Sequence, residues 1–237
     1  MPYSCTNRET RTINNFRNLD VSLNGQGAPL VPIGDLHLFK QYKYCINLGG
    51  FANISIKNNN NNIIAFDICP VNIIMNSVSK QLGKDFDENG RIAKRGSIIP
   101  QLFKQLNNLP FYKKQPPKSL SREWVNQFIN PLLKNEYKKE DILHTICEHV
   151  SVKISELISS GETFFTGGGT FNTYLMSRIS KHAKSNIIMP DKSIINFKEA
   201  LIFGFLGVLK IRDEVNCLRS VTGAIKDSCG GEINNPM

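Results

Sequence analysis

Two glycine-bearing segments near the N-terminus contain the residue types that phosphoryl transfer requires. Asp20 precedes a turn of Gly25, Gln26 and Gly27, and a second turn at Gly49 and Gly50 interrupts an apolar run. Glycine lets backbone N–H groups approach a ligand closely, and consecutive N–H groups form a concavity that binds anions. A carboxylate beside such a cradle could act as a base. The same residues also fit two ordinary turns and a surface aspartate, because Gly-Gly is common in hairpins.

Apolar runs come first along the chain, and helical patterns follow. The runs at 45–48, 51–56 and 63–68 predict three strands, and the asparagines at 58–62 predict a turn. Helices are predicted over 72–82, 99–106, from Ser119 or Ser121 to about 133, 141–159, 172–181 and 197–212, with strands at 163–166 and 186–189. The 197–212 helix is almost entirely apolar, which predicts that it is buried. This order favours an α/β fold, a mixed sheet with surrounding helices.

Composition excludes several classes of protein. The 237 residues are 41% hydrophobic and 21% charged, with a net charge of +9. The lysines are scattered rather than clustered with aromatic residues, so we expect no nucleic-acid partner. No apolar stretch reaches the ~18 residues of a membrane span, and the N-terminus resembles no signal peptide. The six cysteines lack metal-ligand spacing, which favours reduced thiols and a cytoplasmic location.

Seven segments, in order, are similar to motifs of the anhydro-N-acetylmuramic acid kinase family, over residues 14 to the C-terminus. They are Phe16-Arg17-x-x-Asp20-Val21-x-x-x-Gly25-Gln26-Gly27-Ala28-Pro29-Leu30-Val31-Pro32, Asn47-Leu48-Gly49-Gly50-Phe51-Ala52-Asn53-Ile54-Ser55, Phe66-Asp67 with Pro70 and Asn72, Pro116-Pro117-Lys118-Ser119 with Arg122-Glu123, Gly167-Gly168-Gly169 with Asn172, Lys198-Glu199-Ala200, and Val221-Thr222-Gly223-Ala224.

The resemblance implies an actin/hexokinase-like (ribonuclease H-like) ATPase lobe that uses ATP and Mg²⁺ on a small sugar substrate. The family opens 1,6-anhydro-N-acetylmuramic acid with water and phosphorylates it to N-acetylmuramic acid 6-phosphate, in peptidoglycan recycling. The resemblance makes Asp20 the catalytic base and Asp67 a magnesium or phosphate-shell residue. The nucleotide residues that it implies are Gly49, Gly50, Asn53, Asp67, Gly167, Gly168, Gly169 and Asn172. The substrate residues that it implies are Gly25, Gln26, Gly27 and Glu199. Another ATPase or acyl-phosphate kinase of the same superfamily is a weaker alternative.

The chain departs from the family pattern in three places, one of which is Ser121 where the family has glycine. The family's Asp-Thr-Gly-Pro-Gly-Asn segment has Ile68, Cys69 and Val71 here, and we expect these larger side chains to restrict the approach of a phosphate. The family's N-terminal Gly-Thr-Ser-x-Asp-Gly loop has no match, so we expect the N-terminal lobe to be largely absent. We divide the chain into a first-lobe remnant (1–44), a second lobe (45–195), and a buried helix and tail packing between lobes (196–237).

The missing loop leaves a second function open. The alternative to a kinase is a weak or inactive lobe that binds a partner chain or a sugar without turnover. The expected partner is then either a second copy in a homodimer or another chain that supplies the missing N-terminal lobe.

Overall fold

The computed structural model describes residues 10–58 and 62–235. Contacts divide the chain into two compact units, unit 1 (Met1–Leu38 with Glu199–Met237) and unit 2 (Phe39–Lys198). Unit 1 thus joins the N-terminal and C-terminal segments, which the sequence-based division treated separately. The assignment of either unit to a lobe of a kinase stays a prediction.

The described residues form strands, α-helices and short 3₁₀ turns. The strands are β1 (Thr12–Asn14), β2 (Tyr44–Leu48), β3 (Phe51–Lys57), β4 (Ile63–Pro70), β5 (Glu162–Thr166), β6 (Asn186–Ile188) and β7 (Glu232–Asn234). The helices are α1 (Asn18–Ser22), α2 (Pro32–His37), α3 (Asn72–Lys80), α4 (Pro100–Asn107), α5 (Arg122–Phe128), α6 (Lys139–Ser155), α7 (Thr173–His182), α8 (Lys192–Ile211) and α9 (Arg219–Thr222). The 3₁₀ turns are Glu88–Gly90, Ala93–Arg95, Pro110–Lys113, Asn130–Leu132 and Gly168–Phe171.

Unit 2 is built on a five-stranded mixed sheet in the order β4-β3-β2-β5-β6. β2, β3 and β4 form an antiparallel meander, whereas β5 runs parallel to both β2 and β6. The α/β class and the mixed sheet predicted from the sequence are confirmed. The predicted turn at 58–62 falls largely outside the described residues.

The core of unit 2 lies between this sheet and its helices. The strands contribute Ile46, Leu48 and Phe165, all fully buried. α6 buries Ile146 and Ile154 on the face that its spacing predicted. The packing of these helix and strand side chains against each other holds β2 and β5, and therefore their carboxyl ends, in place.

α5 is shorter than predicted. Ser121 caps it by accepting a hydrogen bond from the Trp124 N–H at 3.2 Å. The helix ends at Phe128, and a 3₁₀ turn that contains Pro131 follows. Proline removes a backbone donor and clashes with the preceding turn, so the helix cannot continue to residue 133.

Unit 1 contains a two-stranded sheet of β1 and β7 and the last part of α8. The sequence analysis missed α1 and α2, because five- and six-residue helices are too short to show a period. It was wrong about α8, which we expected to be buried. Leu201 and Val208 are exposed, while Ile202 on the other side is fully buried.

Within the described residues, no helix is both long and apolar enough to cross a bilayer. The five cysteines in this part of the chain are free thiols, and four of them are buried.

Candidate active site

A row of polar side chains crosses the sheet of unit 2. Asp67 on β4 pairs with Asn53 on β3, Asn53 pairs with Asn47 on β2, and Asn47 pairs with Thr166 on β5. Residues directly opposite each other on neighbouring strands share a face of the sheet. The row therefore lies on one face, near the carboxyl ends of the parallel strands β2 and β5, where open α/β sheets bind ligands.

Asp67 is half-buried and has one carboxylate oxygen available. Its Oδ2 accepts a hydrogen bond from the Leu120 N–H at 2.8 Å, and its own N–H donates to the Lys118 carbonyl at 3.1 Å. Among the described residues, no group donates to Oδ1. Burial raises the pKa of Asp67 above its usual value, opposed by the Leu120 hydrogen bond. A carboxylate with a raised pKa and an open oxygen can accept a proton.

The residues that replace the family pattern after Asp67 are buried. Ile68, Cys69 and Val71 are each 3% exposed or less. None of the three lines either of the cavities described below. Asp67 itself also lines neither cavity, so the restriction that we expected at Asp67 from their size stays a prediction.

The turn at Gly49 and Gly50 supports the start of α3. The Gly50 carbonyl accepts hydrogen bonds from the N–H groups of Val71 and Ile73, and the Gly49 carbonyl accepts one from Asn72. A Cβ on Gly50 would meet Ile73 at 3.9 Å and no other described atom within 4 Å, so crowding by the described residues does not require glycine there. The absent side chain leaves space open on the wall of a cavity.

The three glycines after β5 have different roles. Gly167 has a φ of +86°, and a Cβ there would lie 2.8 Å from the Leu48 backbone. Gly169 also packs on Leu48, so both are required by the close approach of this turn to β2. A Cβ on Gly168 would have no neighbour within 4 Å. Gly168 is therefore the one glycine of the triplet that the packing of the chain does not require, although Gly169 lines the same cavity.

Gly168 opens on a cavity of about 760 Å³. Its rim carries large exposed apolar side chains, Phe86, Phe171 and Met189. Asn172 also lines it, but its Oδ1 caps α7 by accepting a hydrogen bond from the Leu175 N–H at 3.0 Å. The volume is in the range of small-molecule sites, and aromatic walls suit a flat ring.

A second cavity, of about 800 Å³, is lined largely by polar side chains. It includes Gly50, two cations on α3 and α5 (Lys80 and Arg122), and the amides of Asn72 and Asn76. Asn72 and Asn76 line both cavities. The second cavity offers donors and positive charge to a polar or anionic ligand.

The predicted base Asp20 lies in unit 1 and is only 1% exposed. Its Oδ1 accepts hydrogen bonds from the Thr222 hydroxyl at 2.6 Å and the Cys217 thiol at 3.2 Å, and its Oδ2 accepts one from the Gly27 N–H at 2.8 Å. Burial, with the hydrogen bond to Asp20, raises the pKa of Cys217 to about 12, so the thiol stays protonated. These contacts suit a buried structural carboxylate.

The turn that follows Asp20 does not offer its N–H groups to an external anion. The N–H groups of Gly25 and Gln26 donate to the carbonyls of Asp20 and Thr222 at 2.8 and 3.0 Å, and the Gly27 N–H donates to the Asp20 carboxylate. A Cβ on Gly25 would lie 2.1 Å from Asp20 Oδ2. The anion that this turn binds is the Asp20 carboxylate itself, and glycine at 25 is required for it.

Two further predicted residues are exposed. The Gln26 and Glu199 side chains both face solvent. Glu199 lies in the interior of α8, seven residues after its start, so it does not complement the dipole at the N-terminus of that helix.

The sequence analysis gave no role to Asn47, Thr166 or Phe86. A polar residue inside a buried strand was the available signal for Asn47 and Thr166. Nothing in the charged loop around Phe86 indicated that it would line the same cavity as Gly168.

A family model described as anhydro-N-acetylmuramic acid kinase matches residues 4–236. Curated relatives named anhydro-N-acetylmuramic acid kinase include one from Bacillus cereus (strain AH187), 32% identical over 250 residues. One from Bacillus thuringiensis subsp. konkukian is 31% identical over the same length. Each match covers 96% of this chain and 65% of the relative. The chain therefore spans about two thirds of the length of these relatives.

Two solved structures show a weaker likeness. The activator of 2-hydroxyisocaproyl-CoA dehydratase from Clostridium difficile, with bound ADPNP, has a TM-score of 0.42 and 18% identity, over 73% of this chain and 61% of that chain. Component A of (R)-2-hydroxyglutaryl-CoA dehydratase from Acidaminococcus fermentans has a TM-score of 0.45 and 14% identity, over 73% and 63%. At such scores neither likeness defines the fold. The match over residues 4–236 does define the family, and the chain belongs to the anhydro-N-acetylmuramic acid kinase family.

Proposed function

We propose that this chain is the larger part of an ATP-dependent kinase that opens 1,6-anhydro-N-acetylmuramic acid with water and phosphorylates it to N-acetylmuramic acid 6-phosphate. The family membership supports the reaction and the actin/hexokinase-like lobe. The observation that carries the proposal for this chain is the cavity beside Gly168, which adjoins residues of the phosphate-binding motifs.

We assign the nucleotide to that cavity. Its aromatic rim would hold the base, and Gly168 would let the ligand approach the backbone. Asn72 and Asn76 connect the cavity to the turn at Gly50, where we place the phosphates. Gly167, Gly169 and Asn172 would act indirectly, because their contacts hold the turn and the start of α7 in place.

The contacts favour Asp67 over Asp20 as the base. A base needs a lone pair directed at the proton that it removes. Asp67 is half-buried and no described group donates to its Oδ1, whereas Asp20 accepts three hydrogen bonds and is only 1% exposed. In this reaction the base takes a proton from water, whose oxygen bonds to the anomeric carbon. The bond from that carbon to O6 breaks, O6 takes the γ-phosphoryl group, and ADP leaves.

Asp67 was also predicted to hold magnesium. In the described part of the chain no three metal-ligating side chains cluster together. Magnesium is often held by one or two carboxylates together with phosphates and water, so a single carboxylate fits the ion. Magnesium would stabilise the charge on the transferring phosphoryl group. A carboxylate oxygen that binds the ion cannot also accept the proton. Of the two roles for Asp67, we favour the base over the magnesium ligand, because burial raises the pKa of Asp67.

We retain Glu199 and Gln26 as sugar contacts, because their exposed side chains can reach a ligand. Gly25 and Gly27 would act through Asp20, by fixing the conformation of the turn that carries Gln26.

A non-catalytic binding lobe is the second candidate. The specific observation in its favour is that the chain spans only 65% of the length of its relatives. Such a lobe would bind nucleotide or sugar without turnover.

The test is ADP formation from ATP with 1,6-anhydro-N-acetylmuramic acid, for the wild-type chain and for Gly168→Val. A Cβ at this position has no neighbour within 4 Å, so we expect the variant to fold normally and its side chain to project into the cavity. Sugar-dependent turnover that Gly168→Val abolishes supports the kinase. Nucleotide binding without turnover favours the binding lobe, and equal turnover in both proteins refutes the assigned cavity.

A further inference from the structure

α3 contributes a polar face to the second cavity of unit 2, which has a volume of about 800 Å³. Asn72, Asn76 and Lys80 all line this cavity. They follow at intervals of four residues, which places them on one face of the helix. At 1.5 Å per residue, this face extends for about 12 Å. It therefore presents amides along its length and a positive charge at its end.

α5 and the turn after it contribute a second polar face to the same cavity. Arg122 and Asn126 lie four residues apart on α5, and Asn130 follows after four more residues, in the 3₁₀ turn. Asn130 Nδ2 donates a hydrogen bond to Asn126 Oδ1 at 3.0 Å. Among the described residues, no hydrogen bond joins another group to the Asn126 NH₂ group or to Asn130 Oδ1, so this pair keeps both donors and an acceptor for a ligand. We refer to the six residues of the two faces as the polar groove.

The polar groove is positively charged. Lys80 and Arg122 are both exposed, and none of the residues lining the cavity is an aspartate or a glutamate. Within residues 10–58 and 62–235, neither cation forms an ion pair. A concave surface with charge of one sign attracts ligands of the opposite sign, and an arginine can hold a carboxylate or a phosphate by two parallel hydrogen bonds.

The asparagines give the polar groove a second property. An amide side chain carries both a donor and an acceptor, which suits a hydroxyl group, because a hydroxyl also donates and accepts. Phe51 and Ile73 are half-buried in the wall of the same cavity and leave apolar surface for the C–H face of a sugar ring. Hydroxyl-binding amides, an apolar wall and two cations together match a sugar that carries an anionic group.

We propose that the polar groove is a binding site for a saccharide with a carboxylate or phosphate substituent. All six of its residues belong to unit 2, whereas Gln26 and Glu199, which we retain as sugar contacts, belong to unit 1. The site is therefore additional to those contacts, and it does not rest on the proposed kinase activity. Sugar acids and sugar phosphates share the chemistry that the groove recognises, and the choice of ligands in the test distinguishes them.

The test measures binding to the full chain by calorimetry, without nucleotide, for three sugars. N-acetylmuramic acid carries a carboxylate, N-acetylglucosamine 6-phosphate carries a phosphate, and N-acetylglucosamine carries neither. We expect at least one of the two anionic sugars to bind at least about tenfold more tightly than N-acetylglucosamine. The anionic sugar that binds more tightly identifies the substituent that the groove prefers.

Arg122→Gln assigns the preference to the groove. This substitution removes the charge and keeps an amide, so it should weaken the binding of the preferred anionic sugar at least about tenfold and leave N-acetylglucosamine unaffected. Because Arg122 is exposed, the variant should unfold like wild type. Arg95→Gln is the matched control: Arg95 is also exposed in unit 2 but lines neither cavity, and this variant should bind as wild type does.

Several results would overturn the proposal. One is that neither anionic sugar binds more tightly than N-acetylglucosamine, and another is that Arg122→Gln leaves the binding of the anionic sugar unchanged. Inorganic phosphate that binds as tightly as the sugar phosphate would indicate a simple anion site without saccharide recognition. Loss of affinity in Arg122→Gln for a non-hydrolysable ATP analogue alone would assign the cations to the nucleotide phosphates instead. No turnover is measured, so a failure of the proposed kinase activity does not affect these results.

Discussion

The Asp20→Asn substitution should destabilise unit 1 although it preserves the shape of the side chain. The asparagine oxygen can replace Oδ1 and accept from Thr222 and Cys217, which places its NH₂ group against the Gly27 N–H. One charge-assisted hydrogen bond is then lost, and two donors face each other in a site that is 1% exposed. Losing such a bond and leaving the donor unpaired costs about 2–3 kcal/mol.

The assay is hydrogen exchange at the Gly27 amide. Its protection should fall about 30- to 150-fold, which corresponds to the same free energy. Asp227→Asn is the control, because exposed Asp227 accepts a single hydrogen bond, from the Arg219 N–H at 2.8 Å. That variant should lose less than about 1 kcal/mol. Unchanged protection at Gly27 in Asp20→Asn would refute the view that Asp20 holds unit 1 together.

Three further predictions concern unit 2. Phe86→Ala should weaken the binding of a non-hydrolysable ATP analogue about 5- to 10-fold in calorimetry, because an aromatic side chain on the cavity rim is lost. Ile98→Ala is the control and should bind the analogue as wild type does, because Ile98 is exposed outside the cavity. Burial raises the pKa of Asp67, so its ionisation destabilises the fold as the pH rises through that pKa. Asp67→Asn should therefore raise the free energy of unfolding in denaturant at neutral pH and leave it unchanged at acid pH. Burial lowers the pKa of His149 to about 3, so stability should fall as pH drops from about 6.5 towards 3, and His149→Gln should flatten this dependence in acid denaturation.

The sequence predicted the sheet of unit 2 well because its strands are short apolar runs separated by strong turn signals. It also predicted α6 and, as one of two alternatives, the cap at Ser121, because both depend on local spacing. The exposed side of α8 does not follow from composition, because an apolar sequence indicates burial without showing which face of the helix is covered.

The site was harder to predict than the fold. The environment of Asp20 depends on Thr222, 202 positions away, so no local pattern shows that its oxygens are occupied. The triplet at 167–169 reads as three equivalent glycines, and only the packing on Leu48 separates Gly168 from the other two.

The most direct test of the central claim compares sugar-dependent ATP turnover in Asp67→Asn and Asp20→Asn. Both are measured with the remaining third of the family protein present, at a temperature where both variants are folded. If Asp67 is the base, Asp67→Asn should lower kcat by at least about 100-fold. Asp20→Asn should keep most of its kcat, and its effect should fall on the KM for the sugar, because it loosens the turn that carries Gln26. Full activity in Asp67→Asn, together with loss of activity in folded Asp20→Asn, would contradict the account and return the base to Asp20.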